Sequence, residues 1–243
     1  MPHTEVHMHT TNDHGQPVGL PLPDWQAPPP PPHRLMQGRF CRLEPLLPAQ
    51  HAADLHAANS LDPDARGWTY LPYGPFADFA AYQHWLQQQA SSTDPLFFAI
   101  VDAQTGKAAG LASYLRIDAA VGAVEVGHLK YSALLQQTPA ATEAMYLMMQ
   151  AAFATGYRRY EWKCDALNQP SRAAALRLGF AFEGIFRQAR VYKGRNRDTA
   201  WYAVTDSDWP QLRTAFEAWL APENFDAAGR QRQRLQDLRT PGL

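Results

Sequence analysis

Two side chains able to move a proton stand in one apolar run, Ala-Val-Glu-Val-Gly-His-Leu at 123–129. Glu125 is a carboxylate among aliphatic neighbours, where burial is costly unless it meets an opening or a partner. His128 is an imidazole whose ordinary pKa lies near neutrality. Either could take the proton of an amine and leave a nucleophile, and water is the third candidate. Strict strand alternation puts Glu125 on the face of Ala123, Gly127 and Leu129, with His128 on the face of Val124 and Val126. The two share a cleft only if a bulge intervenes, and Gly127 is the expected place for it.

Next along the chain is a turn suited to an anion. Gln136-Gln137-Thr138-Pro139-Ala140-Ala141-Thr142 opens a long helix whose buried face carries Met145, Met148, Met149, Ala152 and Phe153. A helix start presents unpaired N–H groups and the positive end of the helix dipole, a fit for pyrophosphate. Pro139 suits the first helical position. Thr138 is expected as the N-cap, with a hydroxyl able to turn to a phosphate oxygen instead. The N–H groups of Ala140, Ala141 and Thr142 are the expected donors, behind small side chains; an ordinary capped helix is the plainer reading. A second signal is Asn168-Gln169-Pro170-Ser171-Arg172. Its carboxamide can donate and accept at once, and Arg172 can bind phosphate, while Asn168 can equally cap the next helix.

The elements that must hold these groups follow from periodicity. GRFCRLEPL (Gly38–Leu46) alternates as a half-buried strand, Pro48 opens a helix to Asn59, and Phe76–Gln89 has helical spacing. Leu96–Asp102 is a continuous apolar run, hence a central strand, paired with Ala108–Arg116 through a tight turn. Strands are also expected at Gly122–Tyr131, Arg159–Asp165, Gly184–Gly194 and Thr199–Asp206, with a last helix capped by Ser207. The loop Asn59–Pro75 holds Trp68, Tyr70 and Tyr73, which either pin it to the core or line a cleft. Arg187, Arg190 and Tyr192 would flank that cleft, whereas Lys193–Asp198 reads as a solvated hairpin tip.

Residues 1–34 read as a separate Pro-rich segment, 35–220 as the folded domain and 221–243 as a polar tail, either a loose helix or disordered. Five consecutive prolines at Pro28–Pro32 favour a stiff spacer with possible contacts through Leu20, Leu22 and Trp25. His3, His7, His9 and His14 read as a solvated tail, so no metal is expected. Net charge is −1, which argues against nucleic acid as partner. No apolar run is long enough to span a bilayer and no secretory signal is visible, so a soluble cytoplasmic protein is expected. Cys41 and Cys164 read as buried thiols.

The order β-α-α-β-β-β-α-β-α-β-β, with GRFCRLEPL, EVGHL, QQTPAATEA, NQPSRAAALRLGF and FEGIFRQ at these intervals, resembles the GNAT superfamily of acyl-CoA-dependent N-acetyltransferases. The likeness is greatest to its Rim-type ribosomal-protein branch. The resemblance implies an α+β fold in α-β-α layers, with a mixed sheet of about seven strands splayed between the fourth (Ala123–Tyr131) and fifth (Arg159–Asp165). It implies acetyl-CoA as cosubstrate, its pantetheine along the fourth strand near Leu129. The pyrophosphate would rest on Gln136, Gln137, Thr138, Ala140, Ala141 and Thr142, with Asn168, Ser171 and Arg172 alongside. Pro139 departs from the family's Gly, and Ala175 stands where some members carry an acid Tyr. The implied acceptor is a protein N-terminus or a small amine, and the implied state monomer or homodimer. A non-catalytic CoA-binding module is the alternative.

Overall fold

The computed structural model describes residues 9–239; His3 and His7 lie outside them. The chain opens with an exposed two-stranded hairpin, β1 (His9–Thr11) and β2 (Pro17–Gly19). The stretch to His33 is packed on the domain, and it docks at intervals of three. Trp25 is half-buried, Pro28 and Pro31 are buried, and the residues between Pro28 and Pro31 are exposed. Three residues make one turn of a polyproline II helix, so this spacing puts one edge of the segment against the fold. Trp25 Nε1 donates to Ala120 O at 3.3 Å, and its indole lies against Gly122. Gly122 has φ +67° and no room for a Cβ beside that ring, so the turn requires glycine. Leu20 and Leu22 stay exposed.

The main sheet begins with β3 (Met36–Gln37) and β4 (Cys41–Pro45). Helix α1 (Pro48–Asn59) follows, then α2 (Phe79–Ala90). The second helix starts three residues later than its periodicity predicts, because Asp78 caps it by accepting from Ala81 N at 2.8 Å. Next come β5 (Leu96–Asp102), β6 (Ala108–Asp118), β7 (Ala123–Tyr131), α3 (Pro139–Ala154), β8 (Arg159–Asp165) and α4 (Gln169–Arg177). The chain continues through β9 (Ala181–Tyr192), β10 (Arg195–Thr205), α5 (Trp209–Leu220) and a last turn, α6 (Leu235–Leu238). Asp208 rather than Ser207 takes the cap position of α5. Its carboxylate accepts from Thr205 N at 2.9 Å and Thr205 Oγ1 at 2.6 Å, which ties it to the end of β10. The tail after Pro222 is ordered on α5: Leu235 is buried, and Asn224 Nδ2 donates to Trp219 O at 2.9 Å.

Strand order is β3-β4-β5-β6-β7-β8-β10-β9, one strand more than the sequence implies. Every neighbouring pair is antiparallel except β7 and β8, which the α3 crossover makes parallel. Helices α3, α4 and α5 cover one face, over a core that includes Phe98, Ile100, Val124, Val126, Tyr160 and Trp162. Helices α1 and α2 cover the other face of β4 to β6 only, over Phe97, Ala99, Val101 and Leu111. β5 is buried on both faces, which explains its unbroken apolar run. Among the described residues no helix is long and apolar enough to cross a membrane. Both cysteines are buried free thiols.

Candidate active site

β7 and β8 pair only from Ala123 with Arg159 to Val126 with Trp162. Beyond that point no ladder joins them, and the edges Gly127–Tyr131 and Lys163–Asp165 face each other across a gap. Unpaired edges of two strands can take an extended ligand with its own amides, as an added strand would.

The gap opens beside an irregularity in β7. Ser113 faces Gly127 and Leu111 faces Lys130, so His128 and Leu129 together oppose Ala112 alone. His128 takes φ +52°, left-handed backbone that costs a non-glycine residue about 1–2 kcal/mol. This is the bulge the two would need to share a cleft, and it lies one residue beyond Gly127. It carries His128 onto the face of Glu125 and sends Leu129 to the α3 core. The His128 ring stacks on Tyr73 at 5.5 Å and lies 5.2 Å from Phe97. Its Nδ1 is 3.2 Å from the Tyr73 hydroxyl. Burial, then the charges of Arg116 and Arg197, push the imidazole pKa down to about 4, so it is neutral at pH 7.

Glu125 is buried and engaged. Arg116 Nη1 pairs with its Oε2, and Lys163 Nζ lies 3.2 Å from the same oxygen. Lys163 also holds Glu161 at 2.6 Å and sits 3.7 Å from the centre of the Trp201 ring. Burial raises the Glu125 pKa, and the two cations pull it back. Of the two outcomes expected for Glu125, an opening or a partner, the structure shows partners. Arg116 and Lys163 come from neighbouring strands, and nothing local in the sequence announces them.

A roof closes over the gap. Lys193 Nζ donates to Trp68 O at 2.8 Å, Arg195 Nη2 to Thr69 O at 3.2 Å, and Tyr70 OH to Leu167 O at 3.3 Å. The aromatic loop therefore both pins and lines: Trp68 is buried in the α1–α2 core, while Tyr73 reaches His128. The hairpin tip is not merely solvated, because its two cations tie it to this loop.

The anion turn is narrower than its sequence suggests. Thr138 Oγ1 donates to Leu135 O at 2.7 Å and accepts from Ala141 N at 3.3 Å, so both the hydroxyl and that N–H are taken. Thr142 N falls to the Thr138 carbonyl by helical geometry, four residues back. Gln136 Nε2 is turned back onto Tyr131 O at 2.9 Å, while Gln137 stays exposed at φ +61°. That leaves the N–H of Ala140, behind a side chain only 4% exposed. What sequence reading missed is Arg177, at the end of α4, whose Nη2 donates to Thr142 Oγ1 at 3.0 Å. The Tyr131 hydroxyl nearby is buried without a partner.

Residues 41–181 match the family model described as the acetyltransferase (GNAT) domain. The chain belongs to the GNAT acetyltransferase family. A GCN5-related N-acetyltransferase from Brucella melitensis is 50% identical, covering 90% of this chain and 99% of that one, with a TM-score of 0.88. A probable GNAT acetyltransferase from Chromobacterium violaceum is 38% identical over 80% of this chain and 98% of that one, with a TM-score of 0.75. RimL, a ribosomal L7/L12 alpha-N-protein acetyltransferase, shares the fold at 21% identity, over 71% of this chain and 94% of that one, with a TM-score of 0.61. No curated protein matches the sequence.

In this acetyltransferase the second signal divides. Asn168 caps α4, its Oδ1 accepting from Ser171 N at 3.2 Å, which leaves its amide N–H groups available. Ser171 Oγ accepts from Trp162 Nε1 at 3.0 Å. Arg172 is partly engaged: its Nε donates to Tyr202 OH at 3.0 Å and its Nη1 to Ala166 O at 3.1 Å. Those bonds tie the start of α4 to β10 and to the loop after β8. Ala175 is fully buried. Among the described residues no cluster of His, Cys, Asp and Glu could hold a metal.

Proposed function

We propose that this acetyltransferase carries an acetyl group from acetyl-CoA to a primary amine by direct attack in a ternary complex. The observation that carries the reading is a coincidence of position. β7 and β8 part at the point where a bulge brings His128 onto the face of Glu125. Acetyl-CoA supplies an activated acyl group as a thioester. The residues present fit it: unpaired strand edges for the pantetheine amides, the Asn168 carboxamide beside them, and the Ala140 N–H with the Arg177 guanidinium for phosphate. Arg177 takes the place of donors that Pro139 and the Thr138 cap remove.

His128 serves as the proton acceptor in this reading. A base with so low a pKa does not strip a free ammonium. It takes the proton once bonding to the acyl carbon has made the nitrogen acidic. Its free Nε2 is suited to this, since Nδ1 is turned to Tyr73. Glu125, held by Arg116 and Lys163, is the anchor for the incoming amine in this reading. The Leu129 N–H at the bulge is the candidate donor to the acyl oxygen.

The test is CoA release with a panel of amines. We expect His128→Gln to lower kcat about a hundredfold or more while leaving acetyl-CoA binding intact. Unchanged kcat would remove His128 from the reaction. Thermal stabilisation by acetyl-CoA with no CoA release from any amine would favour a non-catalytic CoA-binding module.

A further inference from the structure

The face of β10 that looks into the cleft carries Arg197, Thr199 and Trp201 at alternate positions, about 7 Å apart. Thr199 stands opposite Asp165, and Trp201 opposite Lys163. Each of the three holds a buried polar atom without a partner: Arg197 Nε, Thr199 Oγ1 and Trp201 Nε1. Such atoms are rare in folded proteins, and three along one strand face share a missing complement. Guanidinium and indole nitrogens can only donate, and a hydroxyl can donate too, so the complement is an acceptor.

The carboxylates lining the cleft are already engaged. Glu125 holds Arg116 and Lys163, Glu161 holds Arg159 and Lys163, and Asp165 accepts from Tyr192 OH and Leu167 N, both at 2.8 Å. Arg197 makes no salt bridge among the described residues; its nearest aromatic contact is the Tyr192 ring, 5.9 Å from the guanidinium. Its charge is among those acting on His128, and its place on β10, alternate with Thr199 and Trp201, puts it on the strand face turned to the cleft. Lys130 is also buried with an unpartnered Nζ, but it lies 4.7 Å from the centre of the Trp68 ring and is drawn to Asp62 under the roof. That leaves Arg197 as a cleft cation with no salt bridge among the described residues, Asp165 and Glu125 acting on it only through space.

We infer that the acceptor is an amine whose own molecule carries a carboxylate, received by Arg197, Thr199 and Trp201 while the nitrogen points to His128. The inference rests on the acetyl-transfer reading above. In the reaction the N–C bond forms, the C–S bond breaks, the thiolate leaves and the amine proton passes to His128; the carboxylate is a handle and does not react. Two sources offer this chemistry: a free amino acid, or a peptide N-terminus with an acidic side chain among its first residues.

Matched acceptor pairs test it with the full chain, reading CoA release. One arm compares free amino acids with their carboxamides. The other compares dipeptide amides bearing Glu or Gln at either position. We expect the charged member of at least one arm to be favoured about tenfold or more in kcat/KM, chiefly through KM. Preference among free amino acids assigns a small molecule, and preference confined to the dipeptides assigns a protein N-terminus. Arg197→Gln should bring the charged-to-neutral ratio towards one, and Trp201→Phe should lower it. Equal kcat/KM within every pair of the unmutated protein, with CoA released, overturns the inference and leaves acetyl transfer standing. No CoA release from any acceptor overturns both.

Discussion

On the face opposite α3, the sheet has two halves made from the same kind of backbone and opposite kinds of side chain. Over β4 to β6 lie α1, α2 and the aromatic loop. Trp68, Tyr82, Leu86, Phe97 and Leu111 make a closed apolar cluster there. Over β8 and β10 no helix of the described residues lies, and the same face presents Glu161, Lys163, Asp165, Arg197 and Trp201. β7 is the border, with Glu125 turned to the charged half and His128 stacked into the aromatic one. Apolar packing is concentrated on one side of β7 and charge on the other. A transfer site needs both, a rigid wall to fix the acceptor of the proton and an open wall to admit the amine.

The largest effect should come from breaking the covered half. Tyr82 is 1% exposed and touches His56, Trp68, Phe76 and Trp85. Tyr82→Ala should cost about 3–5 kcal/mol, measured by urea denaturation. Trp201→Phe in the open half should cost within about 1 kcal/mol. Equal losses would mean that the open half is core, and the contrast between the halves would fail.

The border responds to acid. The folded pKa of His128 is about 4, below its ordinary 6.5. Between those values the unfolded chain binds the proton and the folded one does not, so stability rises with pH across that window and is lost as pH falls. His128 contributes about 3 kcal/mol to that loss when complete. Unfolding titrations of the wild type and His128→Gln at pH 4 and pH 6.5 isolate it. The variant should lose less on acidification, and parallel curves would show that the ring titrates normally.

What the sequence discloses follows the same border. The covered half is legible because its signals are local: the apolar run at Leu96–Asp102 appears with the bounds expected, as does α1. Glu125 is legible as an anomaly, and the bulge as a consequence of wanting Glu125 and His128 together. Arg116 and Lys163 are not, since each belongs to another strand and looks like an ordinary surface charge in its own segment. Arg172 is legible only in part. Its position beside Asn168 suggests phosphate, but Tyr202, thirty residues away, engages it. Arg177, nine residues beyond Asn168, has no motif to mark it, and only the crossing of α3 and α4 brings it to Thr142. The proline segment was legible in its stiffness; its docking edge at Trp25, Pro28 and Pro31 depends on a groove that other elements make.

The smallest expected effect sharpens where the open half ends. Arg159 links the cleft to the sheet edge. Its Nε holds Glu161 at 2.6 Å, and its two terminal nitrogens hold Glu183 at 2.8 and 2.5 Å. The Glu183 contact is the largest influence raising the Arg159 pKa, yet both side chains are about a third exposed. Water and salt screen such a pair, so Glu183→Gln should cost under about 1 kcal/mol and nothing measurable in 1 M salt. Glu161 has a side chain only 10% exposed and bridges Arg159 and Lys163, so Glu161→Gln should cost more and keep its effect in salt. If the two variants lose the same stability with the same salt dependence, the charged network is continuous to β9, and the edge strand belongs to the cleft wall instead of flanking it.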